Sequence, residues 1–341
     1  MSFVSSIIGT AERVPLPDAI VRAAIQRLCS RTAMRLSECD ARSDALFAGE
    51  MAARAIAEFT DEANAQHYEV PAAFFATVLG PNRKYSSCFY KETASTLQEA
   101  EEEALRQTVE HADLADGQQI LELGCGWGSL SLRMARQFPR AEVTAVSNSN
   151  SQREYIESEA AKRSLGNLRV ITCDMNRFDI EQRFDRVVSV EMFEHMMNWR
   201  DLLIRVRSWL KPGGRFFMHI FTHRAGSYLF DRRDREDWIA QHFFTGGVMP
   251  SHHLIRQYAD LFESKRNGAG AARMTSAPRS TGSPISILAA TRSKAFFAPS
   301  TAATRAFGCG AGAGSPRHVG IVRLRRRHRM GRQSFQDEGG A

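Results

Sequence analysis

No stretch of the chain approaches the roughly 18 consecutive apolar residues that a membrane-crossing helix requires, although 43% of its 341 residues are hydrophobic. That content is enough for a sizeable core, in one large domain or two ordinary ones. Residues 1–19 lack a charged start followed by a long apolar run, so no export leader is expected there. Cysteine is sparse and unpaired in spacing: Cys29, Cys39, Cys88, Cys125, Cys173 and Cys309 form no C-x-x-C motif. This argues against a disulfide framework and against a zinc site or other metal centre; the pattern reads as reduced thiols in a cytoplasmic protein.

A basic excess is also missing from most of the chain. Residues 1–263 carry 31 Lys and Arg against 36 Asp and Glu, whereas residues 264–341 carry 14 against 2. The net charge of +7 therefore belongs to the tail and identifies no acidic partner for the body. The tail contains no tryptophan and no hydrophobic period, and it is rich in Ala, Gly, Ser, Thr and Pro. Such a composition disfavours a packed core, so an irregular or disordered segment is expected from residue 264. Its arginine-rich end, around Arg323 to Arg329, has no aromatic or fold signal that would make it a specific nucleic-acid binder. It leaves peripheral contact with an anionic surface open.

What is present is an ordered alternation. Residues 17–65 read as helical, with Ile20, Ala24, Ile25, Leu28 and later Ala53, Ile56 and Phe59 at helix-like spacing. Tyr68 to Pro71 break this pattern, a short helix follows to Leu79, and 97–111 form a charged amphipathic helix. From residue 118 the rhythm is strand, loop, helix. Strands are expected at 119–123, 142–146, 168–172, 186–190 and 215–221, helices at 129–137, 151–164 and 201–210, and a turn at Lys211–Gly214. The fold class expected is α/β, a Rossmann-like parallel sheet covered on both faces with an N-terminal helical lid. Three regions follow: a lid or substrate region at 1–111, a nucleotide-type core at 112–263 and the basic tail at 264–341.

The first of these strands runs into Leu121-Glu122-Leu123-Gly124-Cys125-Gly126-Trp127-Gly128. Glycines at Gly124, Gly126 and Gly128 let the backbone approach a ligand closely, and ligands in such sheets bind beyond the carboxyl ends of the strands. The dinucleotide fingerprint needs G-x-G-x-x-G, and its third glycine is absent here: Gly128 comes one residue early. With Glu122 just ahead of the loop, this points to S-adenosylmethionine rather than NAD. Glu122 is suited to accept hydrogen bonds from a cationic amino end. The second strand ends without the usual acidic residue for ribose hydroxyls, but Ser147, Asn148 and Gln152 offer neutral hydrogen-bonding groups. Asp174, after the third strand, is placed for an adenine amino group, and Tyr85 and Ser86 for a lid over the cofactor.

Glu191, Glu194 and His195 fall at the end of the fourth strand. Methyl transfer to an amine needs a neutral nitrogen, while an alkylamine with a pKa of ~10 is mostly protonated at pH 7. Two carboxylates and an imidazole can attract the ammonium and remove its proton. Glu194 and His195 are expected to be the acid/base pair and Glu191 to orient the substrate. His219 lies on the fifth strand in an otherwise apolar run, and Phe243 and Phe244 offer an aromatic wall that suits a cationic amine.

The glycine motif, the segment Asp185 to Met196 with its E-M-F-E-H core, Tyr85-Ser86-Ser87-Cys88, Phe217 to Phe221 and His242 to Ser251 together resemble the cyclopropane fatty acid synthase superfamily of methyltransferases. They are most similar to its coclaurine-type N-methyltransferases. The resemblance runs from about Asp18 to Glu263. It implies S-adenosyl-L-methionine as cofactor, His219 facing the active site, and either a small amine or an unsaturated acyl lipid as substrate. Cyclopropane synthases usually carry cysteine where Ser87 stands and rarely a glutamate at Glu191; both departures favour N-methylation. In the resembled family the region beyond residue 263 supplies the last two strands, and nothing in this tail matches them. The tail reads like a GC-rich gene translated out of frame, which leaves a truncated, non-enzymatic cofactor-binding remnant as the other reading.

Overall fold

The computed structural model describes residues 18–60, 72–91, 95–234, 237, 240–241, 244–271 and 318–326. Two helices lead the chain, α1 (Asp18–Leu36) and α2 (Ala41–Ala52), followed by α3 (Ala72–Val78) and α4 (Leu97–His111). The core then alternates through β1 (Gln119–Leu123), α5 (Ser129–Gln137), β2 (Glu142–Ser147), α6 (Asn150–Lys162), β3 (Leu168–Thr172), β4 (Phe184–Val190), α7 (Trp199–Trp209) and β5 (Leu210–Thr222). Short strands β6 (Tyr228–Leu229) and β7 (Val248–Met249) pair with each other. Strands β8 (Phe262–Ala271) and β9 (His318–Arg326) close the main sheet.

The sheet has seven strands in the order β3-β2-β1-β4-β5-β9-β8. β1 to β5 are parallel, and β9 and β8 are added antiparallel. The strand order reverses beside β1, so the loops after β1 and β4 open into the crevice where such sheets bind ligands. One face packs Leu121, Val187, Phe216 and Met218 against Trp199, Leu203, Val206 and Trp209 of α7. The other packs Ile120, Val188 and Phe217 against Leu105 and Val109 of α4 and Met134 of α5. Each of these side chains removes apolar surface from water, at ~1.5–3 kcal/mol for a fully buried large one.

Two expectations change. The N-terminal helix stops at Ala52, and Ile56 and Phe59 do not continue it. Ile56 instead accepts the Met197 N–H at 2.7 Å, and Ala57 exchanges hydrogen bonds with the Asn176 side chain at 3.0 and 2.9 Å. These tertiary bonds replace the helical ones. The Lys211–Gly214 turn is absorbed into β5 as an irregularity opposite Phe184–Arg186, with Gly213 at φ 78°. At the sheet edge the structure also describes two strands, β8 and β9, with eight register pairs between β5 and β9 and nine between β8 and β9. The segments 272–317 and 327–341, like Tyr68 to Pro71, lie outside the described residues. Among the described residues the five cysteines are free thiols, and no helix is long and apolar enough to cross a membrane.

Candidate active site

The loop after β1 is built around two close approaches. Gly124 (φ 78°) and Gly128 (φ 76°) hold left-handed backbone, and a Cβ on them would lie 2.6 Å from Met192 and 2.5 Å from Ile156. Only glycine satisfies both conditions. Gly126 (φ 52°) differs, since a Cβ there meets nothing within 4 Å. The loop is tight where it touches protein and open where a ligand would lie. Gly128 caps α5, whose first turn supplies Ser131; its Oγ donates to Glu122 Oε2 at 2.5 Å. Burial pushes the Glu122 carboxyl up to about 7, with Ser131 and the nearby Lys84 charge opposing the rise.

The other expected cofactor residues sit at neighbouring strand ends. Ser147 Oγ donates to Gln152 Oε1 at 2.6 Å, both buried, and Asn148 is half-buried beside them. Asp174 closes a turn by accepting the Asn176 N–H at 2.7 Å, and so couples the end of β3 to Ala57. Tyr85, 43% exposed, leads an aromatic chain. Its ring meets Phe75 at 5.7 Å, Phe75 meets Trp127 of the glycine loop at 5.0 Å, and Trp127 meets Tyr155 of α6 at 5.6 Å. Arg83 lies over the Tyr155 ring at 3.8 Å. The N-terminal region is thereby docked on the loop it was expected to cover.

The segment carrying Tyr85 and Ser86 is held from beneath. Glu101 of α4, fully buried, accepts the N–H groups of Asn82 at 2.9 Å and Lys84 at 3.1 Å. A Cβ on Gly80 would strike that carboxylate at 2.6 Å. Neither Glu101 nor Lys84 stood out in the sequence. A lone charged residue on an amphipathic helix reads as solvated, and only the fold reveals that α4 turns this one inward.

At the end of β4 the chain turns sharply, with Glu191 at φ 53° and its N–H bonded to the His219 carbonyl at 2.8 Å. Ser87, also left-handed at φ 55°, donates its hydroxyl to Glu191 Oε1. His219 Nδ1 stands 3.8 Å from the same oxygen. The two residues that depart from the synthase pattern are thus hydrogen-bonded to each other. Burial pulls the His219 imidazole down to about 3, so it is neutral at working pH, as the charges of Lys84 and His111 also favour.

Glu194 is placed differently. It is 0% exposed; one carboxyl oxygen accepts the Phe221 N–H at 2.8 Å, and Oε2 has no hydrogen-bond partner among the described residues. Burial, and then the Glu191 charge, push its carboxyl well above the usual range. His195 stays half-exposed and stacks on Phe244 at 4.8 Å, and Phe244 stacks on Phe230 at 5.2 Å. Phe221 meets Phe244 edge-on at 5.3 Å. Phe243 lies outside the described residues. Gly246 and Gly247 let this aromatic group close on Phe59 and on the Glu194 backbone.

The model of the mycolic acid cyclopropane synthetase family matches residues 57–265, which contain the glycine loop, the Glu191–His195 turn and His219. The chain belongs to that family. Within it, the chain is 38% identical over 197 residues to (S)-coclaurine N-methyltransferase of Thalictrum flavum subsp. glaucum, covering 57% of this chain and 55% of that protein. It is 31% identical over 197 residues to cyclopropane-fatty-acyl-phospholipid synthase of Escherichia coli (strain K12), covering 57% and 48%. The chain therefore spans about half the length of the curated relatives it matches. A solved coclaurine N-methyltransferase, bound to N-methylheliamine and SAH, superposes with a TM-score of 0.84 at 25% identity, over 95% of this chain and 100% of that one. The family match ends at 265, where the sequence resemblance also stops.

Proposed function

We propose that this family member is an S-adenosylmethionine-dependent methyltransferase that N-methylates a small amine. The carrying observation is the Ser87–Glu191 hydrogen bond beside a glycine cradle that is open at Gly126. The relatives that are N-methyltransferases, one of them solved with SAH, support the reading. S-adenosylmethionine supplies an activated methyl group on a sulfonium sulfur. Glu122, the glycine loop, Ser147, Asn148, Gln152, Asp174, Tyr85 and Ser86 hold it in this proposal.

The chain's own task is to deliver a neutral amine. Glu191, oriented by Ser87, attracts the substrate ammonium. His195 takes a proton from that nitrogen at a ring nitrogen, leaving the lone pair as nucleophile. Glu194 is the fully buried carboxyl of the two, and burial raises it well above the usual carboxylate range. In this reading Glu191 and His195 carry the acid/base role, while Glu194 fixes the turn through Phe221. Phe244 and Phe230 wall the site against water and favour a cation.

The division into a lid region to 111, a core to 263 and a basic tail belongs to the same proposal, as does a cytoplasmic setting. So does an out-of-frame origin for the tail. The Ala, Gly, Pro and Arg-skewed composition of the tail and the end of the family match at residue 265 motivate it. Translating the other two frames of the coding DNA past this point should restore apolar strands; if neither does, that origin is wrong. For the reaction, purified protein is assayed with methyl-labelled cofactor. Label in soluble amines is the expected result, and label confined to a lipid extract would overturn it.

A further inference from the structure

Two consecutive residues of α4 hold the segment that carries Ser87 at both of its ends. Glu101 accepts the N–H of Asn82 on Oε2 at 2.9 Å and that of Lys84 on Oε1 at 3.1 Å. The carbonyl of Ala100, the residue before it, accepts the Phe89 N–H at 3.0 Å. Between these anchors the segment is tied to itself. Lys84 Nζ donates to the Ser86 carbonyl at 2.8 Å, and Cys88 Sγ to the Lys84 carbonyl at 3.8 Å. The start of α4 is fixed in turn by a reciprocal cap, in which Thr96 and Glu99 exchange side-chain and backbone hydrogen bonds.

A carboxylate suits the Glu101 position because it offers one acceptor oxygen to each of two N–H donors, where a glutamine has a single acceptor oxygen. Glu101 is 0% exposed, and Gly80 closes the space behind it, since a Cβ there would lie 2.6 Å from its oxygens. What the anchored segment presents is Ser87, in left-handed backbone at φ 55°, with its hydroxyl on Glu191, itself left-handed at φ 53°. Non-glycine residues persist in that region only where their surroundings over-determine them. On the Ser87 side, α4 supplies those surroundings.

We infer that Glu101 is a positioning residue for Glu191: through the anchored segment it sets the Ser87 hydroxyl against the Glu191 carboxylate. Its effect on turnover rests on the amine-methylation reading, in which Glu191 draws in the substrate ammonium.

The test combines turnover with amide hydrogen exchange on the full chain. Benzylamine, phenethylamine and piperidine are offered with saturating methyl-labelled S-adenosylmethionine to Glu101→Gln, Ser87→Ala and the double variant, with folding verified by thermal melts. Each single variant should lower kcat about tenfold. Adding Ser87→Ala to Glu101→Gln should lower it by less than about twofold more, because both act through one bond. A loss of about a hundredfold in the double variant, the product of the two singles, would make the residues independent and overturn the inference. Glu101→Asp keeps the charge but draws the oxygens back by a methylene; it carries the same expectation where Glu101→Gln does not fold. Amide exchange in Glu101→Gln should quicken about tenfold or more both at 82–89 and at the 191–195 turn, with β2 little changed. Faster exchange at 82–89 with the 191–195 turn unchanged would overturn the inference whatever the reaction. Wild-type protein that labels none of the amines would instead overturn the amine-methylation reading, and the exchange result would then decide the positioning role by itself.

Discussion

Glu122 should make cofactor affinity depend on pH in a range where few carboxylates titrate. Its side chain is buried and held by Ser131, and burial pushes its carboxyl up from 4.5 to about 7. Only the ionised form pairs with the ammonium of the cofactor. At pH 8 about nine-tenths of the cofactor-free protein has that form, and at pH 6 about one-tenth. Affinity for S-adenosylhomocysteine should therefore fall about tenfold between pH 8 and pH 6, or ~1.4 kcal/mol. Stability without ligand should run the other way. A carboxyl raised in the folded state contributes stability that is fully present below its unfolded value of 4.5 and lost as pH rises through about 7. Calorimetric titrations across this range, paired with urea melts of the cofactor-free protein, measure both slopes. Glu122→Gln should bind weakly at pH 8 and show a flat profile. A flat wild-type profile, or an unchanged slope in Glu122→Gln, would refute the assignment.

Three further outcomes follow from the geometry. Glu194→Gln mimics the protonated carboxyl and should fold normally with turnover within about tenfold of wild type, whereas Glu191→Gln should lose about 100-fold or more; loss of turnover in Glu194→Gln with intact S-adenosylhomocysteine binding would make Glu194 the base after all. Ser87→Ala removes a hydrogen bond to a carboxylate and should lower kcat about tenfold with little change in cofactor affinity, and an effect on affinity alone would assign Ser87 to the cofactor loop. Gly128→Ala meets both a left-handed backbone and Ile156 at 2.5 Å, so it should cost ~1–3 kcal/mol in a urea melt. Gly126→Ala should cost less stability but weaken cofactor binding, and equal stability losses would contradict the open side of the loop.

The strand-loop-helix core was legible because its signals are local. β1 and β3 fall on the expected residues, and the glycine loop follows β1 directly. The positions of the candidate site residues at strand ends were legible for the same reason, since a parallel sheet gathers those ends. Ile56 and Phe59 misled because their spacing imitates a helix, while the bonds that decide their structure come from Asn176 and Met197. Lys84 escaped notice because the fold of its segment depends on Glu101, and the upward shift of the Glu194 carboxyl because it depends on enclosure that a motif does not encode. β9 was invisible for a further reason. Its pairing with β5 joins segments about a hundred residues apart, and its composition opposes the pairing.

The Glu101 clamp sets the direction from which the site can be entered. With Asn82 and Lys84 tied to α4 and the Gly80 backbone pressed on the same carboxylate, residues 80–84 are a fixed jaw and not a swinging flap. On the far side of the jaw the same segment meets the β4 turn through the Ser87–Glu191 hydrogen bond, so a displacement there would break that bond while one on the near side would leave it intact.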